Sequence, residues 1–371
     1  MTAARPLCVP ARVTAVDTRC DIGSFSREQM ADAFAQLGLP RFRVGQVVRW
    51  LYQRGATRFD QMTDLPASLR EQLSHRYVVG AAEVVVRQIS KDGTRKYLVR
   101  FGDGTSVETV GLPDGDRLTV CFSTQAGCAM GCTFCATGRA GFTRDLACGE
   151  MVRQVLLVAT DFGRRVTNAV AMGQGEPFAN YGPSLAALRL LNSPDGPEIG
   201  ARHITVSTCG LVAGIRRFGG EPEQFTLAVS LHSAVQETRD RLMPGVRGVA
   251  LPDLREALVA YADRSGRRPT LEYALAAGVN DTDAELAALV SFARGMLVHV
   301  NLIPVNPVAG AGLDRSVADR IHLFRDTLQH AGIETSVRVE RGSDIDAACG
   351  QLRQRIETDS PADGRARDVR A

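Results

Sequence analysis

From Ser26 to Arg76 the apolar positions recur at helical spacing. Ser26 is placed to cap a helix through REQMADAFAQLG that stops at Gly38. RVGQVVRWLYQRG predicts a second helix on Val47, Val48, Leu51 and Tyr52, and LPASLREQLSHRY a third. The period then shortens to two. EVVVRQIS, KYLVRF and SVETVGL predict strands, with turns at Asp92–Gly93 and Asp103–Gly104, and together a small hairpin sheet. From residue 117 strands and helices alternate, beginning with the strand RLTVCFST and the helix CGEMVRQVLLVATDF and ending with the strand ETSVRVER. Repeated βα units place parallel strands inside and helices outside. Six apolar strands between residues 117 and 305 predict a partial (βα)6 barrel in an α/β chain. The expected organisation is a helical N-terminal domain over 1–80, a β-hairpin linker over 81–115, a barrel core with a C-terminal loop over 116–356, and a disordered tail over 357–371.

The 371 residues suffice for one large domain and a smaller companion. No apolar run is long enough to span a membrane, and the N-terminus MTAARPLCVPARV lacks the apolar centre of a signal peptide, so a cytoplasmic protein with no membrane partner is expected. Net charge is only +3, and Lys91 and Lys96 are the only lysines. Arginine grips phosphates bidentately, and Arg41, Arg43, Arg49, Arg54 and Arg58 surround Trp50 and Tyr52 in the helical unit. That pattern suits RNA. A solvated charged face with its aromatics in the core is the plainer reading of the same residues.

Nine cysteines, an odd number at irregular spacing, argue against a secreted disulfide framework and for metal-binding or catalytic thiols. Cys128, Cys132 and Cys135 stand at C-x3-C-x2-C within CFSTQAGCAMGCTFCATG. Iron–sulfur clusters are normally held by four thiolates; three leave one iron open, and an open position is where chemistry happens. The competing reading is zinc with a distant fourth ligand, but zinc normally uses a second Cys or His pair, and none is present.

The predicted strand exits carry polar groups: Gly173, Gly175 and Glu176 after the second, Ser207 and Thr208 after the third, Ser230, Leu231 and His232 after the fourth, Asn306 after the sixth. Each alone is a turn residue; together, at one end of a βα series beside a three-cysteine loop, they predict a ligand site. Cys121 precedes the loop on the same strand, and Cys349 follows the last strand among small residues. Either is inert packing by itself; beside a cluster they suit a nucleophile and a resolving thiol. Cys148 and Cys209 read as packing, Cys8 and Cys20 as incidental.

At these residues the chain resembles the radical S-adenosylmethionine (SAM) superfamily, and within it the RNA adenine methyltransferases of 23S rRNA. The resemblance runs through FRVGQVVRWLY, FDQMTDLP, VETV, CFSTQAGCAMGCTFCATG, GEP, STCG, SLH, EYALAAGVND, NLIPVNP and DIDAACGQL. It implies that Cys128, Cys132 and Cys135 ligate a [4Fe–4S] cluster and that Gly175, Glu176, Ser207, Ser230, Leu231, His232 and Asn306 line SAM. It implies that Cys349 carries a methyl group as S-methylcysteine, with two SAM molecules consumed per turnover, and that a 5′-deoxyadenosyl radical activates that methyl group. Cys121 then resolves the product through a transient disulfide with Cys349, and Glu108 accepts a proton. The implied partners are 23S rRNA, with tRNA as an open second substrate, and an electron donor such as flavodoxin or ferredoxin. Methylation at adenine carbon 2 is favoured, with the carbon-8 reaction of chloramphenicol–florfenicol resistance as the alternative. Two positions depart from the family pattern: Gln174 in MGQGEP, where methionine is usual, and Cys209 in STCG, where serine is. A radical enzyme with a small-molecule or peptide substrate, and a non-catalytic RNA-binding factor with a structural metal, are the other classes; the thiol pair opposes the first and the open ligand set the second.

Overall fold

The computed structural model describes residues 19–80, 82–306, 308, 310–347 and 367–370. Its N-terminal unit is tied end to end by a short parallel pair, β1 (Cys20–Asp21) and β2 (Tyr77–Val78). Between them lie α1 (Arg27–Gln36), α2 (Phe42–Tyr52) and α3 (Ala67–Arg76). Ser26 caps α1 as its sequence predicts: its hydroxyl accepts from the Gln29 N–H at 3.2 Å, and the Gln29 side chain accepts from the Ser26 N–H at 2.8 Å. In α2, Val44, Val47, Val48, Leu51 and Tyr52 form one buried stripe, leaving Arg41 and Arg49 exposed. Tyr52 is core, its hydroxyl donating to the Gly23 carbonyl at 3.0 Å. Trp50 lies against the core with the Arg54 guanidinium over its ring at 4.3 Å. The arginines therefore form a charged face, and neither aromatic stands open for a base.

β3 (Ala82–Ile89), β4 (Arg95–Phe101) and β5 (Ser106–Asp114) form the expected antiparallel meander. They do not stand apart as a linker sheet. A tight turn at Gly115 (φ +55°) folds β5 onto β6 (Arg117–Cys121), in register from Val110 opposite Cys121 to Asp114 opposite Arg117. The hairpin thus continues the barrel sheet. Beyond β6 a short hairpin, β7 (Gln125–Gly127) with β8 (Phe142–Asp145), encloses the cysteine loop and its helical turn α4 (Ala136–Ala140).

The barrel strands are β6, β9 (Asn168–Ala171), β10 (Ile204–Thr208), β11 (Thr226–Ser230), β12 (Thr270–Leu275) and β13 (His299–Pro304), adjacent in that order and all parallel. These are the six strands the pattern predicts. A seventh, β14 (Glu334–Val337), extends the edge, so the barrel stays open. The crossovers are α5 (Cys148–Phe162), α6 (Tyr181–Asn192), α7 (Val212–Phe218), α8 (Gln236–Leu242) with α9 (Leu251–Ser265), α10 (Asp283–Ala293) and α11 (Ala318–His330). Residues such as Val120, Val206, Leu227, Val229, Leu271 and Val300 are wholly buried between strands and helices. Each contributes about 1.5–3 kcal/mol by leaving water. In the stretch expected as a disordered tail, Arg367–Arg370 forms β15, pairing parallel with the outer edge of β3; Arg87 pairs with Asp368 there.

The N-terminal unit sits directly on α5. A Cβ at Gly149 would lie 1.1 Å from the Gly23 carbonyl oxygen, so the two backbones touch where only glycine fits. Among the described residues no helix is long and apolar enough to cross a membrane.

Candidate active site

The exit of β6 is locked to the exit of β9. Thr124 and Gln125 donate backbone N–H groups to the Gln174 carbonyl at 2.8 and 3.2 Å, and the Gln174 N–H donates to the Ser123 hydroxyl at 2.9 Å. This clamp aims the chain into the cysteine loop. The Cys128 N–H donates to the Gly141 carbonyl at 2.8 Å, and a Cβ at Gly138 would meet the Cys132 nitrogen at 2.8 Å, so the loop closes only on a glycine. From the far side the Thr133 N–H donates to the Leu242 carbonyl at 2.9 Å and the Gly245 N–H to the Met130 carbonyl at 2.8 Å. The end of α8 and the turn after it therefore clasp the loop. Cys128 and Cys132 are buried and Cys135 half-buried. Burial pushes the Cys128 thiol up to about 12, the Met130 amide opposing and Cys132 and Cys135 reinforcing the rise. Burial also raises Cys135. Such thiols ionise readily only against metal charge.

All three cysteines line a cavity of about 160 Å³ at the C-terminal ends of the barrel strands. Gly175, Glu176, Ser207, Ser230, His232 and Asn306 line it too. Leu231 does not: its side chain is wholly buried in the barrel core, and its N–H donates to the Glu272 carbonyl at 3.0 Å. Gly175 holds φ +101° with its α-carbon against Gln125, where a Cβ would come within 2.6 Å. Glu176 is buried and accepts from the Phe178 N–H at 2.9 Å and the Cys209 N–H at 2.6 Å. Burial raises its pKa, and those hydrogen bonds resist the rise. His232 takes a left-handed backbone (φ 55°), accepts at Nδ1 from the Ala274 N–H at 2.9 Å, and meets the Phe134 ring edge-on at 4.5 Å. Burial, with the Arg239 charge, lowers its pKa to about 3. His232 is thus neutral with its proton on Nε2.

Four further cavity residues escape sequence reasoning. Glu272 is buried on β12, accepting from the Asn301 amide at 2.8 Å, and burial raises its pKa against the pull of Arg338. Its signal was available: it is the one charge in the apolar strand PTLEYALA. Arg338 lies just beyond β14, where neither spacing nor motif marks it; Thr137, within α4, lies inside the cysteine motif but was not singled out. Cys209, read from sequence as packing, also lines the cavity, whereas Cys148 is buried packing in α5. Gln174 contributes its backbone to the clamp; its side chain is buried and absent from the cavity wall.

A second cavity of about 300 Å³ adjoins the first and shares Cys135, Thr137, Gly173, Asn306 and Arg338 with it. Cys121, Arg117, Arg341 and Ala347 line this outer space. Cys121 packs with Val110, Ile345 and Ala347. The segment carrying Ile345 and Ala347 is pinned to the β3–β4 turn, the Gly342 N–H donating to Asp92 at 3.0 Å and the Lys91 N–H to Asp344 at 3.2 Å. Lys96 donates to the Asp346 carbonyl at 3.3 Å and pairs with Glu108 at 3.4 Å, both side chains buried. Glu108 therefore stands beneath this segment and lines neither cavity. Cys349, shortly after Ala347 in sequence, lies outside the described residues.

The donor set fits a cluster. Among the described residues no three His, Cys, Asp or Glu side chains gather closely enough to hold a single metal ion. The three thiols share one cavity. Behind them two nitrogens of the buried Arg239 guanidinium find no partner among the described residues, as expected where an anionic group belongs nearby.

Two family descriptions match the chain: the ribosomal RNA large subunit methyltransferase N-terminal domain over residues 20–79, and the radical SAM superfamily over residues 122–293. Relatives named probable dual-specificity RNA methyltransferase RlmN include one from Symbiobacterium thermophilum, 44% identical over 94% of this chain and 95% of its own length. Another, from Gloeobacter violaceus, is 46% identical over 89% of this chain and 94% of its own. The crystal structure of a radical SAM methyltransferase from Sphaerobacter thermophilus superposes with a TM-score of 0.84 at 44% identity, covering 90% of this chain and 99% of that one.

Proposed function

This chain belongs to the RlmN family of radical SAM RNA methyltransferases, and from that premise we propose that it methylates carbon 2 of adenine in 23S rRNA and in tRNA. The observation that carries the reading is that the three-cysteine cavity adjoins a second space walled by Cys121 and by Ala347, two residues before Cys349 in sequence. Cys128, Cys132 and Cys135 would hold a [4Fe–4S] cluster, and SAM, two molecules per turnover, would fill the inner cavity. When bound, the cluster and SAM supply one-electron chemistry that ordinary methyl transfer lacks, which a ring carbon bearing a proton requires.

The chain's own residues do the rest. Gly175 brings backbone against the ligand, and Glu176 receives its amine. Ser207, Ser230 and Asn306 offer hydrogen bonds to carboxylate, ribose and base edge, and neutral His232 offers Nε2–H. The backbone N–H and carbonyl of Leu231 fix the turn that aims Ser230 and His232. Cys349 accepts the methyl group and holds it as S-methylcysteine. Once a carbon–carbon bond joins that carbon to adenine, RNA is tethered through the Cys349 sulfur. Cys121 thiolate attacks this sulfur, the sulfur–carbon bond breaks with its electron pair on carbon, that carbon takes a proton to become the methyl group, and a Cys121–Cys349 disulfide remains for reduction by a dithiol. Glu108, charge-paired with Lys96, takes the ring proton. A flavodoxin or ferredoxin supplies the electron, and the enzyme works in the cytoplasm.

In domain terms, residues 1–80 grip RNA phosphates, 81–115 form the β-hairpin segment, and 116–356 carry the chemistry. The test is anaerobic incubation of the reconstituted enzyme with 23S rRNA, tRNA and deuterated SAM, followed by chromatography and mass spectrometry of the nucleosides. The expected product is 2-methyladenosine from both RNAs; 8-methyladenosine, or no labelled adenosine, would overturn the assignment.

A further inference from the structure

Arg239, in the middle of α8, is wholly buried. Its Nη2 donates to the Cys209 carbonyl at 2.7 Å, while Nε and Nη1 are buried without a hydrogen-bond partner among the described residues. Removing a guanidinium from water this completely, with one carbonyl in return, is strongly unfavourable unless an anion stands near. Its acidic neighbour Asp240 is engaged by the Gln236 amide at 2.8 Å. The charge is felt by His232 and favoured by the nearby Cys209, Asp240 and Cys132, of which His232, Cys209 and Cys132 are cavity wall. The same α8 segment holds the cysteine loop through the Leu242 carbonyl and the Gly245 N–H. The residue that clasps the loop from behind is therefore one helical turn from a buried, incompletely satisfied cation.

We infer that Arg239 is the built-in counter-charge of the iron–sulfur cluster, set behind the wall formed by Cys132 and Cys209, and that it raises the cluster's reduction potential. The inference rests on the reading of Cys128, Cys132 and Cys135 as cluster ligands. Three thiolates give the cluster net negative charge, and each added electron deepens it. A fixed cation in a dry site favours the reduced form without reorganising. Arg239 touches neither SAM nor RNA in this account; it acts through the cluster as a positioning and tuning residue. In the cluster-free chain the same charge is a liability.

The test uses full-length protein reconstituted anaerobically, as wild type, Arg239→Met and Arg239→Lys. Iron and sulfide content come first: a wild type that takes up no cluster would overturn the ligand reading itself. With the cluster loaded, the midpoint potential is measured by redox titration followed by electron paramagnetic resonance. At the wild-type midpoint the reduced-to-oxidised ratio should fall at least tenfold in Arg239→Met, equivalent to 59 mV for one electron, and Arg239→Lys should restore most of it. An unchanged midpoint in a loaded Arg239→Met would overturn the inference. Melting adds a second reading. Cluster-free Arg239→Met should melt at or above cluster-free wild type, and loading should stabilise it less. A methionine variant that fails to fold without the cluster would show a structural role instead and would contradict the inference.

Discussion

Burial fixes the protonation state of His232, and that has a consequence for stability. Its folded pKa lies near 3, below the ordinary histidine value of about 6.5. Between those limits the unfolded chain binds the extra proton and the folded chain does not, so stability is fully present above pH 6.5 and declines as pH falls towards 3. By pH 5 this group alone should remove about 2 kcal/mol. Urea unfolding at pH 7 and pH 5 should therefore show a larger loss in wild type than in His232→Asn, asparagine being tolerant of the left-handed backbone; equal losses would contradict the assigned protonation state. Each of Cys128→Ala, Cys132→Ala and Cys135→Ala should lose the cluster, seen as absent charge-transfer absorption after reconstitution; a full-strength cluster in any one would remove that residue from the ligand set. The cysteine triplet and the strand-exit groups were legible because chemistry there needs particular residue types at particular spacings. Leu231 was assigned to the cofactor lining as part of the motif SLH, yet just beyond β11, where the chain turns through the left-handed backbone of His232, its side chain is buried in the core while Ser230 and His232 line the cavity. Arg239 was hidden for another reason: a charge on a short helix signals solvent unless the packing around it is known.

At the scale of elements, the helix and strand periods in the sequence carried most of the secondary structure, and α5 spans the residues its pattern predicts. What periodicity did not carry was partnership. The β3–β5 meander read as a separate sheet because nothing in its own pattern says which edge it joins; the turn at Gly115 decides it. Helix α2 turns its valines inward, with Arg49 exposed and Arg43 half-buried, but Tyr52 went to the core. Phosphate contacts from the exposed face are thus expected to dominate its RNA affinity. Replacing Arg43 and Arg49 with alanine should weaken binding alike for all RNA sequences and reduce the salt slope by about one to two phosphate contacts. An unchanged slope would return those arginines to solvation. The contact of α5 with the N-terminal unit gives a stability prediction. Gly149→Val forces the Gly23 carbonyl away and should destabilise the protein by about 3 kcal/mol in urea unfolding, whereas an unperturbed midpoint would mean the two units are not packed as described.

On the scale of the whole molecule, one sheet runs from the β15 edge through the meander and the barrel to β14. Cys121 arrives on the strand that feeds the cysteine loop, and the segment leading to Cys349 returns from β14 to lie across the β3–β4 turn. In the proposed reading, an RNA-gripping face, a cofactor cavity and an outer space lined by Cys121 serve one reaction whose product is tethered to protein before release. The measurement that tests this most directly is denaturing gel electrophoresis of Cys121→Ala purified from cells, with and without ribonuclease. The account predicts a covalent RNA–protein adduct, shifted on the gel, collapsed by ribonuclease and absent from the Cys121→Ala, Cys349→Ala double variant, because without the resolving thiol the tether cannot be broken. Full turnover by Cys121→Ala with no adduct, or an adduct that persists without Cys349, would contradict it.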